Sequence, residues 1–392
     1  MHTTLPRRFY ADPDFYRVEL DRFYFNRWIC AGRTDAIPRA GDYFTRAVGD
    51  ESLIVTRAGS GDIQALFNVC RHRGTRLCDD AGGHFIDRIQ CPYHNWTYDL
   101  EGRLLAAPHM PPGFCKEEYP LHRAGCEVWD GHIFVHLGAA SSRLTPAPPA
   151  PEIHPYTQPA LPAPPTLLNA PPALPALRDQ LADLPARFAA WHMGDLQMGR
   201  RIVYDVKANW KLIVLNYNEC LHCPNLHPAL NRLHHYMGAE NVAPTACYCG
   251  GAMGFRDGVE TMSMDGKRRR AFLPGLTEAQ RQQVVYYAIY PNLLLSLHPD
   301  YVMTHTLWPR AHDRTEIVCE WHFHPTELAR PDFHGDDAIE FWDLTNREDW
   351  WISEQSQLGI NSRLYQPGPY SEREELLWSF DEIVRREAER RP

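Results

Sequence analysis

Cys70, His72, Cys91 and His94 form two short arms, Cys-x-His and Cys-x-x-His, separated by eighteen residues. Two thiolates and two neutral imidazoles can hold a two-iron, two-sulfur cluster, with one iron on the cysteines and the other on the histidines. Imidazole in place of thiolate raises the reduction potential, and such a centre passes single electrons. A structural zinc draws on the same side chains. Zinc fingers, however, group Cys with Cys and His with His, whereas each arm here mixes them. The flanks are also distinctive, Cys70-Arg71-His72-Arg73-Gly74 and Cys91-Pro92-Tyr93-His94-Asn95-Trp96. The length between the arms predicts an additional loop residue around residues 79–83.

A second donor set follows. His222 and His227 lie five apart in Asn216-Tyr217-Asn218-Glu219-Cys220-Leu221-His222-Cys223-Pro224-Asn225-Leu226-His227-Pro228. That spacing suits two imidazoles on a helix-like turn, loosened by Pro224 and converging on one ion. One carboxylate would complete a 2-His-1-carboxylate triad, which leaves positions open for dioxygen and substrate. Asp349 is the candidate, facing inward from a long helix, and its neighbour Glu348 is expected to point about a quarter turn away. Cys220 and Cys223 could instead be a redox or zinc pair, which would leave His222 without a role. Cys247 and Cys249 are read as structural.

These groups need elements to hold them. Residues 9–32 carry helical apolar spacing. Residues 40–137 show short alternating runs broken by Gly and Pro, the pattern of a small all-β module carrying the two arms on loops. Residues 139–175 are dense in Pro and Ala and predict an extended linker or irregular strap. β-type runs follow at 201–206, 284–298, 301–308 and 316–324, the last three forming an antiparallel meander, with a loop-rich stretch at 239–275. Residues 336–362 follow a helical period, and a last helix spans about 372–389.

The chain of 392 residues can hold two ordinary domains. Its net charge of −9 gives no reason to expect nucleic-acid binding, and the basic run at 267–270 is expected to be a solvated loop. No apolar run is long enough to span a membrane, and no signal-peptide pattern opens the chain, so a cytoplasmic protein is expected. Eleven cysteines without a disulfide-framework spacing are read as reduced thiols. Gly59-Ser60-Gly61 lacks the third glycine of a dinucleotide fingerprint and there is no phosphate-cradling loop. The chain is therefore not expected to collect electrons from NAD(P)H itself.

Together, the two arms, the Glu219–His227 motif and the Asp349 helix resemble the catalytic α subunit of Rieske non-haem iron oxygenases, over nearly the whole chain outside the Pro-rich segment. The resemblance implies an α+β fold, with an N-terminal all-β Rieske [2Fe-2S] domain and a C-terminal helix-grip catalytic domain (an antiparallel sheet with a long C-terminal helix). The parts would be a helical segment at 1–40 packing on the catalytic domain, the Rieske domain at 41–138, a Pro-rich strap at 139–178 and the catalytic domain at 179–392. It implies a [2Fe-2S] cluster on Cys70, His72, Cys91 and His94, and Fe(II) on His222, His227 and Asp349. It also implies O2 as co-substrate and NAD(P)H used indirectly, through a separate flavin and iron–sulfur reductase. In a homotrimer of this kind Glu219 would bridge an iron histidine to a Rieske histidine of the neighbouring subunit, with His94 as its partner; a carboxylate there can link redox state to protonation.

Asn209-Trp210-Lys211, Glu219-Cys220-x-His222-Cys223 and the segment Pro291-Asn292 to Pro299-Asp300 look similar to the branch acting on glycine betaine, proline betaine, choline and carnitine. N-demethylation of a quaternary ammonium compound is expected, with hydroxylation or dihydroxylation of an aromatic or other small molecule as the alternative. Sheet aromatics (Tyr287, Tyr290, Tyr301, Trp308, Trp321) could supply a cation–π cage; Tyr290, Tyr301, Trp308 and Asn216 are the candidate substrate contacts. A stand-alone Rieske electron carrier would leave the second domain unexplained.

Overall fold

A computed structural model of the chain describes residues 2–138 and 174–390. The predicted Pro-rich strap falls largely outside the described residues. The N-terminal part turns through short helices between residues 8 and 25 and then enters strand β1 (Ile29–Arg33), so the single helical stretch expected to residue 32 ends earlier. Nine further strands follow: β2 (Asp42–Val48), β3 (Glu51–Arg57), β4 (Ile63–Phe67), β5 (Gly82–His84), β6 (Arg88–Gln90), β7 (Thr97–Asp99), β8 (Leu104–Ala106), β9 (Gly125–Trp129) and β10 (His132–His136). They form three small sheets, ordered β4-β3-β2-β5, β6-β7-β8 and β1-β10-β9. Gly59-Ser60-Gly61 turns the β3–β4 hairpin. Around residues 79–83, where an additional loop residue is expected, 79–81 are irregular and Gly82 and Gly83 begin β5, which pairs with β2.

The second part is one seven-stranded antiparallel sheet. Its strands are β11 (Gln197–Val206), β12 (His234–Asn241), β13 (Tyr248–Phe255), β14 (Gln283–Ile289), β15 (Leu293–Leu297), β16 (Val302–Ala311) and β17 (Arg314–Phe323). Their order is β11-β17-β16-β15-β14-β13-β12. The meander expected from sequence is β14 to β17, with the 284–298 run broken into two strands at Tyr290-Pro291-Asn292. Within the stretch 239–275 expected to be loop-rich, β13 and the last three residues of β12 are strand, and the remainder is irregular. The glycines and polar residues of the two strands hide the period-2 pattern.

Three helices matter for the site: α1 (Trp210–Tyr217), α2 (Asp336–Asn361) and α3 (Glu375–Glu389). The Asn209-Trp210-Lys211 motif is the start of α1. The Asn209 side chain caps it by accepting from the Lys211 N–H at 3.0 Å. Trp210 is buried against Phe23, Tyr24 and Phe380. Lys211, fully buried, donates to the equally buried Glu19. The N-terminal segment is thereby tied into the second part.

Helix α2 opens on Asp336 and Asp337, a placement its N-terminal dipole favours. Its buried residues include Ala338, Phe341, Trp342, Thr345, Trp350 and Ser353, one stripe laid against the sheet. Arg270 clamps its first turn, donating to Asp337 at 2.6 Å while pairing with Asp300 at 2.9 Å. The 267–270 run is thus no solvated loop throughout, because Arg270 is a buried structural ion. Further along, His305 on β16 meets Asn346 at 3.1 Å, and Gln357 accepts from the Asn209 N–H at 2.9 Å. These contacts set the rotation of α2 and hence where Asp349 points. Asn292 exchanges two hydrogen bonds of 2.9 Å with the backbone of Cys30, fastening β1 to the β14–β15 turn.

Candidate metal centres and the adjoining cavity

The two arms are built alike. Cys70 C=O accepts from Gly74 N–H at 3.0 Å, and Cys91 C=O accepts from Asn95 N–H at 3.1 Å. Cys70 and Cys91 N–H donate to the carbonyls five residues on, Thr75 and Trp96, each at 2.8 Å. Each turn closes through a left-handed residue, Gly74 at φ 73° and Asn95 at φ 57°, conformations Gly and Asn tolerate best. Two matched turns bring the pairs together with the thiols buried and the imidazoles toward the surface.

Cys70 Sγ lies 3.5 Å from the Tyr98 hydroxyl, and burial raises its pKa, with Cys91 alongside. The His72 and His94 rings sit 4.7 Å apart, and His72 stacks on buried Trp96. Nδ1 of both histidines is buried without a protein partner, as two atoms reserved for a metal would be. Among the described residues, three or more metal-binding side chains gather their donors within 4.8 Å only at His222, His227 and Asp349. The four residues of the arms are not drawn around one point, which a single zinc would demand and a two-iron cluster does not.

The second centre forms where α1 runs out. The chain passes through Glu219 and Cys220, makes one helical turn at Cys223–Leu226, and leaves at His227. His222 and His227 flank that turn, their rings 5.0 Å apart. Asp349 descends from α2, its Oδ1 2.9 Å from His227 Nε2 and 3.4 Å from His222 Nε2. The opposite nitrogen of each ring is held by another carboxylate. His222 Nδ1 meets Glu219 Oε1 at 2.5 Å, and His227 Nδ1 meets Glu348 Oε2 at 2.6 Å. Burial lowers the His222 pKa, but the bonds to Asp349 and Glu219 outweigh it and push the imidazole up to about 9. Asp349 shows the converse: burial raises it, and the two imidazoles hold it below the usual carboxylate range.

Three donors converging on one point, each imidazole oriented by a carboxylate behind it, suit a divalent first-row metal with open positions. Glu348 is the residue the sequence reading turned away. One residue beside Asp349 on α2, it reaches the far side of the same His227 ring. Cys220 and Cys223 are joined by a disulfide across a Cα separation of 5.0 Å, bracketing His222, so the expectation of reduced thiols throughout does not hold here.

A cavity of about 260 Å³ opens from this triad. Strands β12 to β14 form its floor, where Gly250, Gly251 and Ala252 leave room, and α2 forms its roof through Trp342, Thr345 and Asp349. Asn216 is on its lining. Tyr290, Tyr301 and Trp308 are not, being buried elsewhere. Tyr290 packs on Phe380, Tyr301 donates to Met262 O, and Trp308 lies under Arg46 of β2. Tyr217, Tyr286 and Trp342 stand on its lining instead, as does Tyr236. Tyr286 and Tyr287 alternate across β14, and it is Tyr286 that faces α2. His234, 1% exposed and held down to about pKa 4 chiefly by burial, also lines the cavity. Its only sequence signal was a His seven residues beyond His227.

Comparison with known proteins agrees with this architecture. The Rieske [2Fe-2S] domain family matches residues 27–123, and the ring hydroxylating alpha subunit (catalytic domain) family matches residues 193–389. The chain is 30% identical to the glycine betaine monooxygenase oxygenase subunit of Chromohalobacter salexigens, over 94% of this chain and 82% of that protein. It is 26% identical to the chloroplastic choline monooxygenase of Arabidopsis thaliana, over 96% of this chain and 81% of that protein. Its fold is similar to that of the quaternary ammonium Rieske monooxygenase CntA, with a TM-score of 0.77 at 22% identity over 99% of this chain and 96% of that one. Mixed Cys/His arms, a two-histidine, one-carboxylate centre and these matches lead to one conclusion: the chain belongs to the family of Rieske non-haem iron oxygenase α subunits.

Proposed function

We propose that this oxygenase hydroxylates an N-methyl carbon of a quaternary ammonium compound, which is then lost as formaldehyde. The carrying observation is the cavity wall: Tyr217, Tyr286 and Trp342 stand beside the triad, and beyond Glu219 and Asp349, which the iron centre engages, the lining carries two carboxylates (Glu372, Glu375) against one guanidinium, Arg373. Aromatic faces and net negative charge favour a permanent cation that cannot donate hydrogen bonds. The names of the relatives, glycine betaine and choline monooxygenases, support the same substrate class.

In this reading Cys70, His72, Cys91 and His94 hold the cluster, and His222, His227 and Asp349 hold the iron. When bound, these groups supply single electrons and activation of dioxygen. The balance is one methyl group, O2, two electrons and two protons giving the carbinol and water. The carbinol then breaks its C–N bond to give the tertiary amine, formaldehyde and a proton. The protein's part is positional. Glu219 and Glu348 fix the tautomer of each iron imidazole, leaving Nε2 free to ligate. The aromatic wall holds the cation with a methyl toward the triad and keeps water from it.

The electrons are proposed to come from a separate reductase using NAD(P)H. We infer a cytoplasmic homotrimer in which Glu219 also reaches the His94 edge of a neighbouring copy. Two features support it. His94 stands at the surface beside Tyr93, 55% exposed, and Leu344, Trp351 and Leu358 form an exposed apolar stripe at seven-residue spacing on α2. No helix among the described residues is long and apolar enough to cross a membrane. The bonds of Tyr10 to Asn209 and of Glu19 to Lys211 support an N-terminal segment packed on the C-terminal part.

The test is a single turnover of iron-loaded, cluster-reduced protein with O2 and glycine betaine, proline betaine, choline, carnitine or an aromatic acid. Formaldehyde matched to cluster oxidation with one ammonium compound is expected. A hydroxylated arene without formaldehyde would move the activity to ring hydroxylation.

A further inference from the structure

Of Tyr217, Trp342 and Tyr286, only Tyr286 has a polar side-chain atom without a partner; on the same lining the His234 ring also has both nitrogens buried and unpartnered. The Tyr217 hydroxyl is 3.0 Å from Leu295 O and 2.9 Å from Ser296 Oγ, and Trp342 Nε1 donates to the Tyr301 hydroxyl at 2.8 Å. The Tyr286 hydroxyl is buried and has no partner. Its ring lies edge-on to Tyr217 at 6.1 Å and to Trp342 at 6.3 Å. A buried hydroxyl without a hydrogen bond costs free energy that phenylalanine at the same place would not. Tyrosine there is accounted for by a group that arrives with the ligand.

The position of that hydroxyl says which end of the ligand it meets. Trp342 precedes Asp349 by seven residues on α2, about 10 Å along the helix axis. Both face the cavity, so it runs along the helix from the triad to the Trp342–Tyr286 corner. A methyl delivered to the triad places the rest of the molecule toward Tyr286. We propose that Tyr286 is a specificity-determining residue, its phenol donating a hydrogen bond to an oxygen (carboxylate or hydroxyl) at the end of the substrate remote from the oxidised methyl. This rests on the quaternary ammonium reading and narrows it to compounds carrying such an oxygen. The competing anchors are Arg373, exposed on the cavity lining, and His234, whose ring nitrogens are buried there without partners.

Tyr286→Phe keeps the aromatic face and removes only the hydroxyl, so it separates the two contributions. Holoenzyme and variant are compared with glycine betaine and carnitine, and with tetramethylammonium, which has no oxygen. Binding is read by calorimetry and turnover by formaldehyde. The expected result is a rise of about tenfold in Kd and KM for the oxygen-bearing compounds, and a rise of less than twofold for tetramethylammonium. Equal losses for all three compounds would overturn the proposal, as would discrimination abolished by Arg373→Ala and untouched by Tyr286→Phe. Should the wild-type protein bind and oxidise none of the ammonium compounds, the quaternary ammonium reading fails by itself. The same variant, tested on arene carboxylates against bare arenes, then decides the phenol's role separately.

Discussion

The Glu348 carboxylate holds Nδ1 of His227 at 2.6 Å, from the residue next to the aspartate that faces Nε2 of the same ring. Two consecutive acids of one helix thus embrace a single imidazole, one oriented as ligand and the other behind the ring. Carboxylates behind a metal-binding histidine raise its basicity and fix its tautomer. Glu348→Gln is expected to lower iron affinity or turnover by about 10–100-fold while leaving the cluster intact. Iron titration beside the visible spectrum of the cluster checks it; unchanged affinity and turnover would make the contact merely structural.

Asp349→Ala removes one of three donors. The purified protein is expected to fall from about three irons per chain to about two, with the cluster spectrum retained and oxygenation lost. Cys70→Ser should do the reverse, removing the cluster signal first. Iron analysis with electron paramagnetic resonance separates the two losses.

Glu219→Gln keeps the shape of the side chain but removes its charge. If it links the two centres between subunits, the cluster should still be reduced by dithionite. Its oxidation in a single turnover should slow by roughly 10–100-fold. Stopped-flow absorbance reads that step directly, and an unaltered rate would sink the bridging role.

Lys211 and Glu19 are both fully buried and paired. Lys211→Met alone leaves a buried carboxylate uncompensated and should cost ~3–5 kcal/mol. Adding Glu19→Leu should restore most of that loss, because no lone charge remains. Thermal and denaturant unfolding of the two variants are the comparison.

Asp381 on α3 accepts from the Tyr370 hydroxyl at 2.7 Å, and burial pushes its pKa up to about 7 despite that bond. Between its unfolded value of 3.8 and about 7 the folded protein binds a proton that the unfolded chain releases. Its contribution therefore worsens as pH rises through that window and is least harmful at the acid end. Asp381→Asn should flatten stability against pH over this range and stabilise the protein at pH 8 by up to roughly 4 kcal/mol. Unfolding midpoints of variant and wild type at pH 5 and pH 8 decide it.

The donors of the proposed metal centres were legible in the sequence because their spacings are local. Cys70-x-His72, Cys91-x-x-His94 and His222 to His227 are short spacings recognisable along the chain, although only the fold brings the two arms together and delivers Asp349. The meander and the long helix were legible for a related reason, since β15, β16 and α2 carry unbroken apolar periods. Three things depended on the tertiary structure. Glu348 binds the back of His227 because Arg270, Asn346 and Gln357 set the rotation of α2, and no local spacing records that angle. The aromatic wall takes in Tyr217, Tyr286 and Trp342, and not Tyr290, Tyr301 and Trp308, because sheet register decides which face of a strand meets the helix. A shift of one residue would have exchanged Tyr286 for Tyr287. By itself the sequence determined which atoms could bind metal; only packing between elements far apart in the chain decided what stands behind those atoms and what a substrate beside them would touch.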